Sequence, residues 1–214
     1  GPESRDILKH ITTDHLDLSF YSFKLSEYKN KKIMISRTGY TGELGFEIYG
    51  EHESIQNIWD VLMATGEIQP VGLAVRDILR MEMKYCLYGN DIDDSKNPIE
   101  AGLGWITDLK KDNFIGRDVI SAVKKDKPEK RLIAFIMEAR GIPRPGYEIQ
   151  KENSNIGIVT SGTQSLGLQK GIGLAYVSRE FSKSGTEIDV LIRNKPIPAK
   201  IIKPPFIKIT SLLS

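Results

Sequence analysis

Cysteine is almost absent from the sequence: Cys86 is the single thiol among 214 residues. One thiol cannot form a disulfide within the chain and cannot build a zinc site alone, so we expect a reducing, cytoplasmic location. The residues around it, "MKYCLYG", are mostly apolar, and apolar surroundings disfavour the reactive thiolate. We therefore expect Cys86 to be a buried structural residue and not a nucleophile.

Histidine is scarce, and long apolar runs are missing. The three histidines, His10, His15 and His52, lack the spacing of metal ligands, so we expect no metal site. No apolar run approaches the roughly 18 residues that a membrane helix needs. The N-terminal residues also lack the basic-then-apolar pattern of a signal peptide. The sequence therefore predicts no membrane partner.

Neither sign of charge dominates, because 30 basic residues face 28 acidic ones. A nucleic-acid-binding domain usually carries a basic patch, whereas the basic residues here are dispersed. The densest runs, residues 29–32 and 124–130, are typical of solvated turns. No phosphate loop and no dinucleotide-binding glycine motif is present. We therefore expect no nucleic-acid partner and no nucleotide site of these types.

A β-hairpin is predicted early in the chain. "KKIMISR" and "LGFEIYG" each alternate apolar and polar residues, as half-buried strands do. The glycine-containing stretch "TGYTGE" between them favours a turn. In the second strand Leu44, Phe46 and Ile48 point one way, and Glu47 and Tyr49 point the other.

Helical periodicity follows the hairpin. "HESIQNIWDVLMATG" places four apolar side chains on one helical face: Ile55, Ile58, Trp59 and Leu62. "GLAVRDILRMEMKY" and "RDVISAVKK" predict two further helices. The charged segment "KKDKPEK", broken by Pro128, then predicts a domain boundary.

The C-terminal part reads as six short strands separated by glycine and proline turns. This pattern is typical of a small antiparallel barrel or sandwich. We therefore predict an α+β protein, with one domain over residues 1–125 and an antiparallel β-barrel domain over residues 130–205.

Glu47 is the first candidate site residue, because it lies in mid-strand opposite the core-facing side chains. If its face is covered, the carboxylate needs a partner, since an unpaired buried charge is costly. A face that carries a glutamate, a glycine and Tyr49 could receive a flat polar ring. A tight hairpin with a solvated carboxylate is the alternative.

Two groups of arginines are further candidates. Arg76 and Arg80 lie one turn apart in an apolar helix, so we expect at least one of them to point inward, where a guanidinium needs an anion or a carbonyl. Surface salt bridges are the alternative. Arg140 and Arg144 lie in the proline-rich loop "GIPRPGYEI", which is either solvated or a docking loop for an acidic partner.

The order of these motifs resembles one enzyme family. "RTGYTGELGFEI", "GLAVRDILRMEMKYCLYGNDID", "PIEAGLGW", "FIGRD" and "IGIVTSGTQSLGLQKGIGLAYV" together resemble the aminomethyltransferase, or T-protein, of the glycine cleavage system. The resemblance implies a folate-binding α+β domain followed by a β-barrel. It implies transfer of a one-carbon unit from the aminomethyl-lipoyl arm of H-protein to tetrahydrofolate, with release of ammonia. It also implies that Tyr40, Glu47 and Arg76 line the folate pocket.

The sequence departs from that family in two respects. Family members are longer, and their catalytic aspartate matches no residue here, so no catalytic residue is assigned. We read Gly1 as an internal position of a longer protein and expect the 214 residues alone to be inactive. In addition, no aromatic residue follows Phe206, where many relatives place one near the folate.

Two other functions stay open. One is the folate domain of a flavin-dependent dimethylglycine or sarcosine dehydrogenase. The other is a non-catalytic folate-binding protein, whose motif K-G-C-Y-x-G-Q would stand where this chain has "DNFIGRD". Phe114 occupies the place of that cysteine, which argues against the second alternative.

Overall fold

The computed structural model describes residues 1–14 and 16–213, so His15 lies outside the described residues. The chain divides into two compact units, the first containing residues 1–80 and 208–214 and the second residues 81–207. The predicted domain limits, 1–125 and 130–205, stay a prediction. Across the described ranges, no helix is long and apolar enough to cross a membrane.

The first unit combines a three-stranded sheet with helices. Its elements are α1 (Ser4–Leu8), β1 (Phe23–Tyr28), β2 (Lys31–Ser36), β3 (Glu47–Gly50), α2 (His52–Ala64) and most of α3 (Leu73–Glu82). The sheet is antiparallel with the order β1-β2-β3.

The predicted hairpin is present as β2 and β3, but its connection is longer than "TGYTGE". Pairing ends where Ser36 faces Glu47, which leaves residues 37–46 outside both strands. The sequence analysis predicts no strand where β1 lies. The apolar residues Phe23 and Leu25 of β1 are exposed, so this strand lacks the buried apolar face that marks the other strands.

One apolar cluster fills the first unit. Its buried members are Leu8, Leu18, Tyr28, Ile33, Ile35 and Ile58. Phe46 and Ile48 pack against it, as the alternation in the second hairpin strand predicts. Trp59 lies in the predicted helix, but 54% of its surface is exposed. Periodicity shows which side chains share a helix face but not how much of that face a neighbouring element covers.

The second unit contains α4 (Arg117–Asp126), a short 3-10 helix (Arg179–Phe181) and six strands. The strands are β4 (Lys130–Met137), β5 (Glu148–Lys151), β6 (Ser154–Ser165), β7 (Lys170–Ser178), β8 (Glu187–Ile192) and β9 (Lys195–Ile202). They form a closed antiparallel barrel in the order β4-β7-β6-β5-β8-β9. The predicted α+β class with a C-terminal antiparallel β-barrel is confirmed.

Barrel packing depends on a glycine opposite a phenylalanine. Phe135 on β4 is directly paired with Gly173 on β7. A side-chain carbon at Gly173 would lie 2.3 Å from the Phe135 ring, so only glycine leaves the ring its place. The ring is fully buried in the barrel core with residues such as Val159 and Ile201.

Candidate functional site

Tyr40 and Arg76, which the family resemblance implies as site residues, meet in the first unit. The guanidinium carbon of Arg76 lies 4.5 Å from the centre of the Tyr40 ring. This distance is typical of a cation–π contact. Tyr40 is half-buried in the 37–46 connection, whereas Arg76 is exposed on α3. The pair therefore presents an aromatic face and a cation at an accessible surface.

Glu47 is exposed at the first position of β3 and is held by a chain of hydroxyl groups. The Thr38 hydroxyl donates to Glu47 Oε2. The Thr38 and Ser36 oxygens are 2.8 Å apart, so Ser36 can donate to Thr38 in turn. The Glu47 charge also raises the pKa of the Tyr49 phenol. The carboxylate is thus oriented but solvated, which agrees with the alternation along the strand.

The prediction that one arginine of α3 points inward is confirmed for Arg80. Only 1% of Arg80 is exposed, and its Nη2 lies 2.8 Å from Asp77 Oδ1. Arg76, one turn earlier, is exposed. The two arginines of this helix therefore differ, and the one that the family resemblance singles out is the accessible one.

Arg37 is a buried cation at the start of the connection that carries Tyr40. It is 1% exposed, and its guanidinium carbon lies 5.8 Å and 5.6 Å from the Phe20 and Phe46 ring centres. It donates to the carbonyls of Gly45 (3.3 Å) and Leu212 (2.7 Å). Burial lowers the pKa of Arg37, although a guanidinium stays charged at physiological pH.

Residues near the C-terminus bind the far end of the same connection. The Ser211 backbone N–H donates to Glu43 Oε2 at 2.9 Å, and the Ser211 hydroxyl donates to the same oxygen. The Leu44 N–H donates to Ser211 Oγ at 2.9 Å. With the bond from Arg37 to Leu212, these contacts join the C-terminal segment 208–213 to the loop 37–46.

Sequence reasoning does not find Arg37, Glu43 or Ser211 as site residues. Glu43 and Ser211 are 168 positions apart, so no local pattern links them. A weak signal exists for Arg37, because an arginine at the end of an alternating strand requires acceptors if it turns inward.

The second unit contains a groove at one end of the barrel, with a volume of about 990 Å³. We call it the basic groove. Four cationic side chains and one acidic one, Glu138, line it: Arg140, Arg144, Lys170 and Arg193. The predicted loop arginines therefore share one cavity with a cation at the start of β7 and another in the β8–β9 connection.

Cys86 is half-buried and packs against an apolar cluster of the second unit that includes Met81 and Phe206. This packing is consistent with a structural role. Among the described residues, no group of three His, Cys, Asp or Glu side chains could hold a metal ion.

Comparison with known protein families gives two matches that together cover most of the chain. Residues 1–111 match the model described as "GCVT N-terminal domain". Residues 130–208 match the "Glycine cleavage T-protein C-terminal barrel domain". The second match spans all six strands of the barrel.

Curated relatives and solved structures agree with these matches. Proteins named aminomethyltransferase from Halothermothrix orenii and Bacteroides fragilis are 43% and 45% identical over 97% of this chain. The chain spans about 60% of the length of these relatives. The crystal structure of glycine cleavage system aminomethyltransferase T from Bartonella henselae is similar, with a TM-score of 0.87 and 29% identity over 95% of this chain and 56% of that one.

Ser211→Ala tests whether the C-terminal segment holds the loop 37–46. The change removes a hydroxyl that serves Glu43 and Leu44, so we expect a loss of about 1–2 kcal/mol in stability. We also expect faster amide hydrogen exchange at Leu44 and its neighbours, measured by NMR. Leu213→Ala is the control, because 80% of Leu213 is exposed. Unchanged exchange in Ser211→Ala would show that the loop holds its conformation without the segment.

Proposed function

The chain belongs to the glycine cleavage T-protein family, and on that premise we propose that it binds tetrahydrofolate and serves aminomethyl transfer. In the proposed reaction, the aminomethyl group arrives on the lipoyl arm of H-protein. Its one-carbon unit passes to tetrahydrofolate, giving methylenetetrahydrofolate, and its nitrogen leaves as ammonia. The family membership and the names of the relatives support this reaction over the two alternatives.

The observation that carries the folate proposal is the contact between Arg76 and Tyr40. Their 4.5 Å separation joins an aromatic face to a cation at an accessible place in the first unit. A reduced pterin is a flat, polar ring, and such a ring can pack on an aromatic side chain while its carbonyl oxygen accepts from a guanidinium. We propose that the two side chains hold the ring together.

Glu47 supplies the complementary charge. The pterin edge offers its 2-amino group and its N3–H side by side, and a carboxylate can accept both in a charge-assisted pair. Thr38 uses one position on Glu47 Oε2, and a carboxylate has about four acceptor positions in all. The exposed Glu47 therefore keeps the capacity to accept from a ligand.

The proposed role of these three residues is binding and orientation. A fixed pterin presents N5 to the incoming carbon in one geometry, which removes much of the entropic barrier to the transfer. Tetrahydrofolate supplies the nucleophilic nitrogen when it is bound. Tyr40, Glu47 and Arg76 are therefore proposed as substrate-binding residues, and no catalytic residue is assigned.

We propose that the basic groove receives acidic side chains of the lipoylated H-protein. Its four cations outnumber its single acid, and Arg140, Arg144, Lys170 and Arg193 are all exposed. Complementary charge accelerates association and sets the orientation of the partner. A cytoplasmic location is also part of the proposal, supported by the single cysteine.

Glu47→Gln tests the folate pocket. The substitution keeps the size of the side chain but removes its charge, so the affinity for tetrahydrofolate should fall by about 1.5–3 kcal/mol. Isothermal calorimetry measures the loss. Glu51→Gln is the matched control, since Glu51 is exposed and forms only a 3.4 Å surface contact with Lys31 among its described ion pairs. Equal affinity of Glu47→Gln and the unaltered protein would mean that Glu47 is merely solvated.

Arg144→Glu tests the docking groove. Reversal of one charge should slow association with lipoylated H-protein and weaken the affinity by roughly tenfold at low salt. Surface plasmon resonance at two salt concentrations measures both quantities. Lys110→Glu is the control, because Lys110 is exposed and outside the groove. If both variants bind equally well, the partner docks elsewhere, and the folate proposal is unaffected.

We expect no turnover from the 214 residues alone. The chain spans about 60% of its curated relatives, and the aspartate expected from the family resemblance matches no residue here. A pocket that lacks part of its wall is wet, and water weakens charge-assisted contacts. The assay combines the purified chain, aminomethyl-loaded H-protein and tetrahydrofolate, and it follows ammonia. Turnover at the rate of a relative of full length would contradict the expectation.

A further inference from the structure

Lys84 lies in a small cavity of the second unit that the proposed function does not use. The cavity has a volume of about 250 Å³. Its polar side chains are three cations and two hydroxyls: Lys84, Arg131, Lys203, Ser182 and Ser184. The other lining residues are apolar or glycine, and no acidic residue is among them. The side chains that line the cavity therefore carry three positive charges and no negative charge.

The backbone of Lys84 has a conformation that favours glycine. Its φ angle is 62°, in the left-handed region, where a side chain is disfavoured. Such a conformation persists where the surrounding structure holds the residue in place. The Lys84 side chain lines the cavity.

The Lys84 side chain is half-buried, and its ammonium is only partly satisfied. Nζ donates to the Ala101 carbonyl at 3.2 Å, whereas an ammonium has three hydrogens to donate. Burial is the main effect on the Lys84 ammonium and lowers its pKa; the charges of Cys86 and Asp91 act in the opposite direction, and the Arg131 charge adds the smallest lowering effect. Among the described residues, no carboxylate forms an ion pair with Lys84, Arg131 or Lys203.

Gly102 makes room for the ammonium. A side-chain carbon at Gly102 would lie 3.3 Å from Lys84 Nζ, so the missing side chain lets the charge rest against the turn. That turn is fixed to the barrel, because the Leu132 N–H donates to the Glu100 carbonyl at 2.8 Å. The ammonium therefore lies against a turn that is hydrogen-bonded to β4, the strand that carries Arg131.

We propose that this cavity binds a phosphate group, either free or on a small phosphomonoester. A dianion would neutralise most of the charge of one half-buried and two exposed cations, and the two serine hydroxyls can donate to its remaining oxygens. The volume suits a single phosphate group better than an extended ligand. The inference is independent of folate and of aminomethyl transfer, since none of its residues belongs to the proposed folate pocket or the basic groove.

The main competing explanation is that Lys84 only stabilises the turn through Ala101. The two explanations differ for Lys84→Gly. If Lys84 only stabilises the turn, Lys84→Gly should lower the unfolding midpoint even without a ligand. If Lys84 binds an anion, glycine should relieve the strain of the left-handed backbone, and the midpoint without ligand should not fall.

The experiment measures phosphate binding by calorimetry and by the thermal unfolding midpoint, with chloride at matched ionic strength as the reference. We expect phosphate, but not chloride, to raise the midpoint of the unaltered protein. Lys84→Met should weaken phosphate binding roughly tenfold or more, as expected for a lost charged donor. Lys84→Gly should abolish the phosphate-induced shift while leaving the midpoint without phosphate equal or higher. Lys195→Met, on an exposed residue outside the cavity, should bind phosphate normally.

A comparison of two ligands identifies the ligand class, and two further variants test the cavity in a protein that stays folded. Tighter binding of glycerol 3-phosphate than of inorganic phosphate would indicate a phosphomonoester, and the reverse order would indicate the free ion. Arg131→Gln and Lys203→Gln change exposed side chains and should weaken binding in a folded protein. The proposal is wrong if phosphate shifts the unaltered protein and Lys84→Met equally. It is also wrong if phosphate shifts the midpoint of the unaltered protein no more than chloride does.

Discussion

The buried guanidinium of Arg37 holds together parts of the first unit that are distant in sequence. It donates to the carbonyls of Gly45 and Leu212 and lies 5.8 Å and 5.6 Å from the ring centres of Phe20 and Phe46. A buried cation is tolerated only when hydrogen-bond acceptors and other surroundings compensate for lost hydration, and carbonyl oxygens and ring faces do so here. Tyr40, half of the proposed pterin-binding pair, follows Arg37 by three residues in the connection that these contacts hold.

Most of the barrel could be predicted from the sequence, because the patterns that indicate its strands are local. Each of the six strands lies within or overlaps a stretch of alternating or continuous apolar residues bounded by turn residues. Closure of the sheet and the pairing of Phe135 with Gly173 could not be predicted, since they depend on register between distant strands. The exposure of Trp59 shows the same limit in a helix, where periodicity does not reveal how far the neighbouring elements extend.

The candidate site could be predicted from the sequence only in part. Family resemblance singles out Tyr40, Glu47 and Arg76, and the structure brings Tyr40 and Arg76 into contact. Glu47 was inferred from its strand position, and its exposure agrees with that position. The hydrogen bonds that hold the loop 37–46 could not be predicted, because Glu43 and Ser211 are distant in sequence and meet only in the folded chain. Lys84 was equally hidden, since its left-handed φ is a property of the backbone and not of the residue type.

The two sheets of this protein differ in how they terminate. In the barrel every strand has a partner on both sides, whereas β1 and β3 of the first unit each pair only with β2 among the described strands. β1 also exposes Phe23 and Leu25, by 61% and 73% of their surfaces. An outer strand with free backbone groups and apolar side chains is a template on which another extended chain can add. Self-association at high concentration would therefore begin at β1, and a lysine in place of Leu25 is the substitution that would oppose it.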